Sequence, residues 1–141
     1  MPDAAVIARL CGELGYPSSP EQVKERLAGL LTHPEHAVFV AEAQVSPSGS
    51  HVAGWVHAYV ERTLESNPTI ELGGLVVEKT WRGSGVGRLL MRQVEGWARA
   101  TGCETVTVRS NVVRERAHAF YQRLGFGLVK TQDVFRKSVR G

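Results

Sequence analysis

Arg82-Gly83-Ser84-Gly85-Val86-Gly87 is the part of this sequence best suited to chemistry. Its glycines let the backbone approach a ligand with no Cβ in the way, and they open a run in which Val86, Leu89, Leu90, Val94, Trp97 and Ala98 recur at helical spacing. N–H groups at a helix start lack acceptors of their own, so together with the helix dipole they attract phosphate. Two common phosphate loops do not fit. A Walker A loop needs Gly-Lys-Ser/Thr where this chain has Gly87-Arg88-Leu89, and a dinucleotide fingerprint needs G-x-G-x-x-G directly after its strand, whereas here G-x-G-x-G follows a gap from Glu78 to Trp81. Taken alone, the loop also fits a tight strand-to-helix turn. Charge is divided along the chain: Met1 to Trp81 sums to −5 and Arg82 to Gly141 to +8, which suggests a polyanion near the second half and equally fits solvated helix faces that happen to differ. No helix-turn-helix, zinc finger, RNP-type aromatic motif or lysine-rich tract accompanies those charges, so no nucleic-acid partner is expected and a phosphate-bearing cofactor accounts for them.

The other reactive residue types form no second motif. His33, His36, His51, His57 and His118 lack HxxxH or HExxH spacing, and no metal is expected. Cys11 and Cys103 lack CxxC spacing and read as reduced, small and buried. His57 and Tyr59 share one face of a strand, where they either line an acceptor pocket or pack.

Glycine and proline divide the chain into the elements that must hold these residues. Ala4 to Leu14 carries Ile7, Leu10, Cys11 and Leu14 on one helical stripe ending at Gly15. Ser19-Pro20-Glu21-Gln22 is a capping box for a second helix with Val23, Leu27, Leu30 and Leu31 inward. His36 to Gln44 and Val52 to Glu61 read as a hairpin joined through Ser46 to Ser50, and Thr69 to Val77 as a third strand. Gly73 and Gly74 interrupt that strand and imply a bulge or the close approach of another backbone or a ligand. The glycine-led helix closes at Gly102, Thr105 to Arg109 is a short strand, and Glu115 to Leu124 is a helix with Ala117, Phe120, Tyr121 and Leu124 on one face. Leu128 to Thr131 and Val134 to Ser138 read as a closing hairpin. The order is α/β.

Arg82-x-x-Gly85-x-Gly87 resembles the acyl-coenzyme A signature R/Q-x-x-G-x-G/A of the GCN5-related N-acetyltransferase (GNAT) family. Leu75-Val76-Val77 is similar to the strand before that signature, Asn111 to the family's loop asparagine, and Ala117 with Phe120-Tyr121-x-x-Leu124-Gly125-Phe126 to its second motif. The resemblance implies a single domain over residues 1–141: a mixed, splayed sheet with helices on both faces. The family usually begins with a strand for which Met1 to Asp3 leave no room, so the sheet is expected to lack it. The resemblance also implies acetyl-coenzyme A as co-substrate and an acetyl group moved to a primary amine by direct attack. Gly83, Ser84, Gly85, Val86 and Gly87 would hold the pyrophosphate through their amides, with the Arg82 and Arg88 side chains nearby. Val76 and Val77 would pair with the pantetheine amides. Tyr121 resembles the tyrosine that protonates the departing sulfur, and Glu71 the strand glutamate that serves as base in some members, others passing the proton through water. A homodimer is a further expectation from the family.

The remaining bounds are coarse. With 141 residues the chain fits one domain, and 43% hydrophobic with 22% charged residues is an ordinary globular composition. No apolar run approaches the roughly 20 residues of a membrane span, and no leader opens the chain, so the expected address is cytoplasmic with no membrane partner. The acidic first half suits a cationic acceptor. The alternative function is a coenzyme A sensor without turnover, which retention of Glu71 and Tyr121 disfavours.

Overall fold

In the computed structural model, the two β-branched runs pair antiparallel as β1 (His36–Ser46) and β2 (Gly49–Glu61), with His36 opposite Tyr59 and Ser46 opposite Gly49. β3 (Thr69–Val77) adds antiparallel to β2, and β4 (Val106–Val108) runs parallel to β3, giving a mixed sheet of order β1-β2-β3-β4. The structure describes residues 7–8, 18–47, 49–109 and 115–140. They fall into two compact units, Met1–Arg109 and Ser110–Gly141. The stretch before the first expected helix lies outside the described residues, and of that helix Ile7 and Ala8 are helical and buried.

α1 (Pro20–Leu31) begins with the expected capping box. Ser19 Oγ accepts from Gln22 N–H at 3.1 Å, and Gln22 Oε1 accepts from Ser19 N–H at 2.9 Å, an arrangement that satisfies two donors the helix cannot and is worth about 1 kcal/mol. Its inward stripe is narrower than expected. Val23 and Leu27 are buried, Leu30 is half-buried and Leu31 is exposed, because the cluster of Ile7, Ala8, Trp55 and Val76 receives only Val23 and Leu27.

Residues alternate between the faces of a strand, and each of the two long helices takes one face. Trp55 and Val76, opposite each other, point to the α1 side with Val38 and Val40. Gly54 points the other way, where a Cβ would meet Val86 Cγ1 at 3.2 Å and Leu90 Cδ1 at 3.3 Å on α2 (Val86–Thr101). α2 buries Leu90, Met91, Val94 and Ala98 and leaves Leu89 exposed. Each large apolar side chain so buried stabilises the fold by roughly 2 kcal/mol. Gly102, at φ +82°, ends α2 by donating back to Ala98 and Arg99, the left-handed stop its position implied.

The bulge expected at the paired glycines is present. His57 faces Gly74 and Ala58 faces Leu72, so Gly73 is the extra residue. The rings of β2 are what approach: a Cβ on Gly73 would lie 2.4 Å from His57 Nδ1, and one on Gly74 2.8 Å from Trp55 Cη2.

The second unit holds α3 (Glu115–Arg123), followed by Gly125 at φ +98°. The expected closing hairpin is absent. Leu128 to Thr131 and Val134 to Ser138 form no strand, and Leu128, Val129, Val134 and Phe135 are each at least 80% exposed. β-branched residues favour a strand only where a neighbouring strand takes up their N–H and C=O groups, and among the described residues none does so here.

Candidate active site

β3 is paired on both sides only as far as the bulge. Ile70, Glu71 and Leu72 face Val106, Thr107 and Val108 of β4, where that three-residue strand ends. From Gly73 to Val77 the far edge of β3 has no strand partner among the described residues. Glu78 N–H donates to Ala53 O at 2.7 Å, and the alternation of an antiparallel ladder then turns the N–H and C=O of Val77 and Leu75 outward and those of Val76 toward β2. Of Leu75, Val76 and Val77, the outward backbone is therefore that of the first and third. Arg82 Nε already donates to Val77 O at 3.2 Å, which ties the start of the glycine loop to this open edge.

The loop itself is built from backbone. Gly83 and Gly85 sit at φ +82° and +92° with open space where a Cβ would be, so their conformation requires glycine although nothing crowds them. Gly85 is the N-cap of α2 and supplies no side-chain cap, leaving the amides of Val86 and Gly87 without an acceptor inside the helix. Ser84 turns inward instead: its N–H donates to Trp81 O at 3.3 Å, and its hydroxyl donates to the same oxygen. Arg82 and Arg88 are exposed. Unpaired amides, helix dipole and two guanidinium groups together suit a pyrophosphate.

The other candidate residues lie on the α1 side of the sheet. Glu71 is opposite Tyr59 on β2 and Thr107 on β4 and is 2% exposed. Arg109 Nε lies 2.7 Å from Glu71 Oε1 and Arg109 Nη2 lies 3.8 Å from Glu61 Oε2. The approach to Glu71 is off the line of a good hydrogen bond, so this buried oxygen keeps its acceptor capacity unsatisfied. Burial, reinforced by a hydrogen bond with the Glu61 carboxyl, pushes the Glu71 pKa up to about 7 against the pull of Arg109. Burial and the same two carboxylates also raise that of Tyr59. Beside them His57 Nε2 is 3.0 Å from His36 Nδ1, and the His36 ring stacks on Tyr59 at 5.3 Å. Burial lowers the pKa of both histidines, helped by His36 acting on His57 and by His33 on His36, so they stand neutral at pH 7.

Sequence reasoning singled out Glu71, His57 and Tyr59 and missed Arg109 and Glu61. Period-two spacing along β2 puts Glu61 in line with Tyr59, which is the signal that could have found it. Arg109 follows from the parallel register of β4, which no local pattern encodes. In the second unit Tyr121 is half-buried on α3, with its ring 5.5 Å from Phe120 and 5.8 Å from Phe126. Asn111 lies outside the described residues.

Among the described residues, a mixed sheet whose β3 edge is unpaired beyond Leu72, a glycine-built helix start tied to that edge, and a buried carboxylate with its pKa pushed up to about 7 on its face form an arrangement suited to a phosphate-bearing ligand. The sequence model of the acetyltransferase (GNAT) family matches residues 4–126, and the chain belongs to that family. It is an acetyl-coenzyme A-dependent N-acetyltransferase that acts on a primary amine. An aminoglycoside N(6')-acetyltransferase type 1 from Stenotrophomonas maltophilia is 38% identical over 135 residues, covering 95% of this chain and 86% of that protein. One of the same name from Serratia marcescens is 26% identical over 129 residues, covering 88% and 86%. Among solved structures, the aminoglycoside antibiotic 6'-N-acetyltransferase AAC(6')-Ih from Acinetobacter baumannii aligns with a TM-score of 0.83 at 22% identity over 99% of this chain and 94% of that one, which speaks for the fold.

Proposed function

We propose that the acceptor is the 6'-amine of an aminoglycoside, that Glu71 is the base and Tyr121 the acid, and that the protein works in the cytoplasm. The observation that carries the acceptor is the 38% identity to a relative of that name across 95% of the chain. The carboxylates of Glu61 and Glu71 on one face of the sheet suit a polycation of this kind.

An ammonium has no lone pair, so Glu71 first takes its proton. A buried carboxylate titrating at about 7 is matched to that task at neutral pH. Bound acetyl-coenzyme A supplies an activated carbonyl carbon, to which the freed nitrogen bonds as the C–S bond breaks. The Tyr121 phenol gives its proton to the departing sulfur and regains one from the proton the nitrogen sheds, so one proton is released per acetyl moved. The Gly83 to Gly87 backbone holds the pyrophosphate, and the outward groups of Leu75 and Val77 hold the pantetheine amides in strand fashion.

The test is release of free thiol from acetyl-coenzyme A with kanamycin, a polyamine, an amino acid and a peptide amine, in the wild type and in Tyr121→Phe. Kanamycin is expected to turn over fastest, and Tyr121→Phe to lower kcat about 10²-fold with coenzyme A affinity intact. Preference for the polyamine or the peptide amine overturns the acceptor, and an undiminished kcat in the variant removes Tyr121 from the reaction.

A further inference from the structure

Glu71 is almost wholly buried, yet a base must come within hydrogen-bond reach of the nitrogen it deprotonates. Part of what covers it is Arg109, a guanidinium on a side chain 58% exposed, with its Nε 2.7 Å from Glu71 Oε1. The same guanidinium reaches a second carboxylate, Glu61, at 3.8 Å, and the Glu61 side chain is 34% exposed. A cation thus already sits where the substrate's ammonium must go, with a second carboxylate at the other end of its reach. Resting on the reading of Glu71 as base, we propose that Arg109 is a resident counter-ion that the acceptor's ammonium replaces at Glu71, Arg109 moving over to Glu61. Two carboxylates then serve two cations where Arg109 alone had served both, and the site selects alkylammonium acceptors over amines that arrive neutral, which cannot displace a guanidinium.

Among the described residues, the charged and titratable groups facing Glu71 are Tyr59 and Glu61 from β2 and Arg109 beyond β4, with His57 and His36 next along β2 and β1. Both histidines are neutral at pH 7, because burial lowers their pKa values. Arg109 and Glu61 are therefore the groups whose charge Glu71 senses at neutral pH, and removing either has a defined sign.

The experiment follows the Glu71 carboxyl by ¹³C NMR titration in the full-length protein, as wild type and Arg109→Ala, each with and without saturating kanamycin. Losing the cation should raise the Glu71 midpoint in Arg109→Ala by about one pH unit. Kanamycin should bring it back down in that variant and leave it nearly unmoved in the wild type, where one cation is exchanged for another. In kinetics, Arg109→Ala should lower KM for kanamycin several-fold and move the acid limb of kcat/KM to higher pH. Glu61→Gln should raise KM in the wild-type background and have little effect in Arg109→Ala. If kanamycin lowers the midpoint equally in both proteins, the ammonium joins Arg109 instead of replacing it and the proposal falls. A midpoint that kanamycin moves in neither protein, despite turnover, means the ammonium never reaches Glu71, and the base assignment falls with the proposal. An absence of turnover with kanamycin overturns the acceptor alone, and the titration of Arg109→Ala with butylamine then reads the exchange.

Discussion

The glycine loop and the Glu71 strip differ in almost every physical respect. The loop is contiguous in sequence, exposed from Arg82 to Gly85 and made of backbone, and its key glycines at φ +82° and +92° have no protein atom within 4 Å of a would-be Cβ. The strip is assembled from β2, β3 and the end of β4, is buried at its centre, and its glycine, Gly73, is hemmed in by His57. Loop geometry thus rests on backbone conformation and on main-chain ties such as Arg82 Nε to Val77 O, with no side chain packed against its glycines, whereas strip geometry is set by side-chain packing and charge. Substitutions in the first should act on cofactor affinity, and those in the second on pH dependence and stability.

The largest expected effect is at the loop. Gly85→Asp places a side chain on a left-handed residue, which costs roughly 1–2 kcal/mol in stability, and sets a carboxylate where helix-start amides meet phosphate. Affinity for coenzyme A by calorimetry should fall at least 10²-fold while the variant remains folded. Undiminished affinity would remove the loop from the cofactor site and erase the contrast.

Next is Glu71→Gln. The folded pKa of about 7 exceeds the ordinary value of 4.5, so the folded state holds this proton more tightly than the unfolded chain does. The stability it contributes is therefore fully present below pH 4.5 and lost as pH rises through 7, up to about 3 kcal/mol in all. Glutamine does not titrate, so thermal melts should show Glu71→Gln gaining on the wild type between pH 5 and 8. Its kcat/KM should fall about 10–100-fold near pH 7 and recover in part at high pH, where solvent or neutral amine replaces the base. A uniform loss carried by KM would make Glu71 a seat for the ammonium and nothing more.

What could be read from sequence follows the same division. The loop, its helix and the capping box at Ser19 are local patterns, so their residues announced them. Gly73 and Gly74 announced a bulge but not its cause, since the His57 and Trp55 rings belong to another strand. Arg109 was invisible because its role comes from a parallel pairing between segments some 35 residues apart, Ile70 with Val106 and Leu72 with Val108. The tail from Leu128 to Ser138 misled for the converse reason: strand propensity is local, and the partner that would realise it is not.

The smallest effect, and the one that best tests the contrast, is at Gly73. Its φ lies outside the left-handed range, so Gly73→Ala carries no backbone strain, and any penalty must come from the Cβ lying 2.4 Å from His57 Nδ1. That ring has little freedom to retreat, because it is half-buried and tied to His36 at 3.0 Å. Overpacking of this sort costs about 1–3 kcal/mol, visible as a lower denaturant midpoint, with coenzyme A affinity unchanged because the loop lies elsewhere. His57→Ala opens the space, so the double variant should be less destabilised than the two single changes together, by a coupling of about 1 kcal/mol or more in a double-mutant cycle. Additive effects would mean that the ring does not enforce the glycine. The one-residue slip that sets Glu71 opposite Tyr59 would then have to be held by the β3–β4 pairing alone.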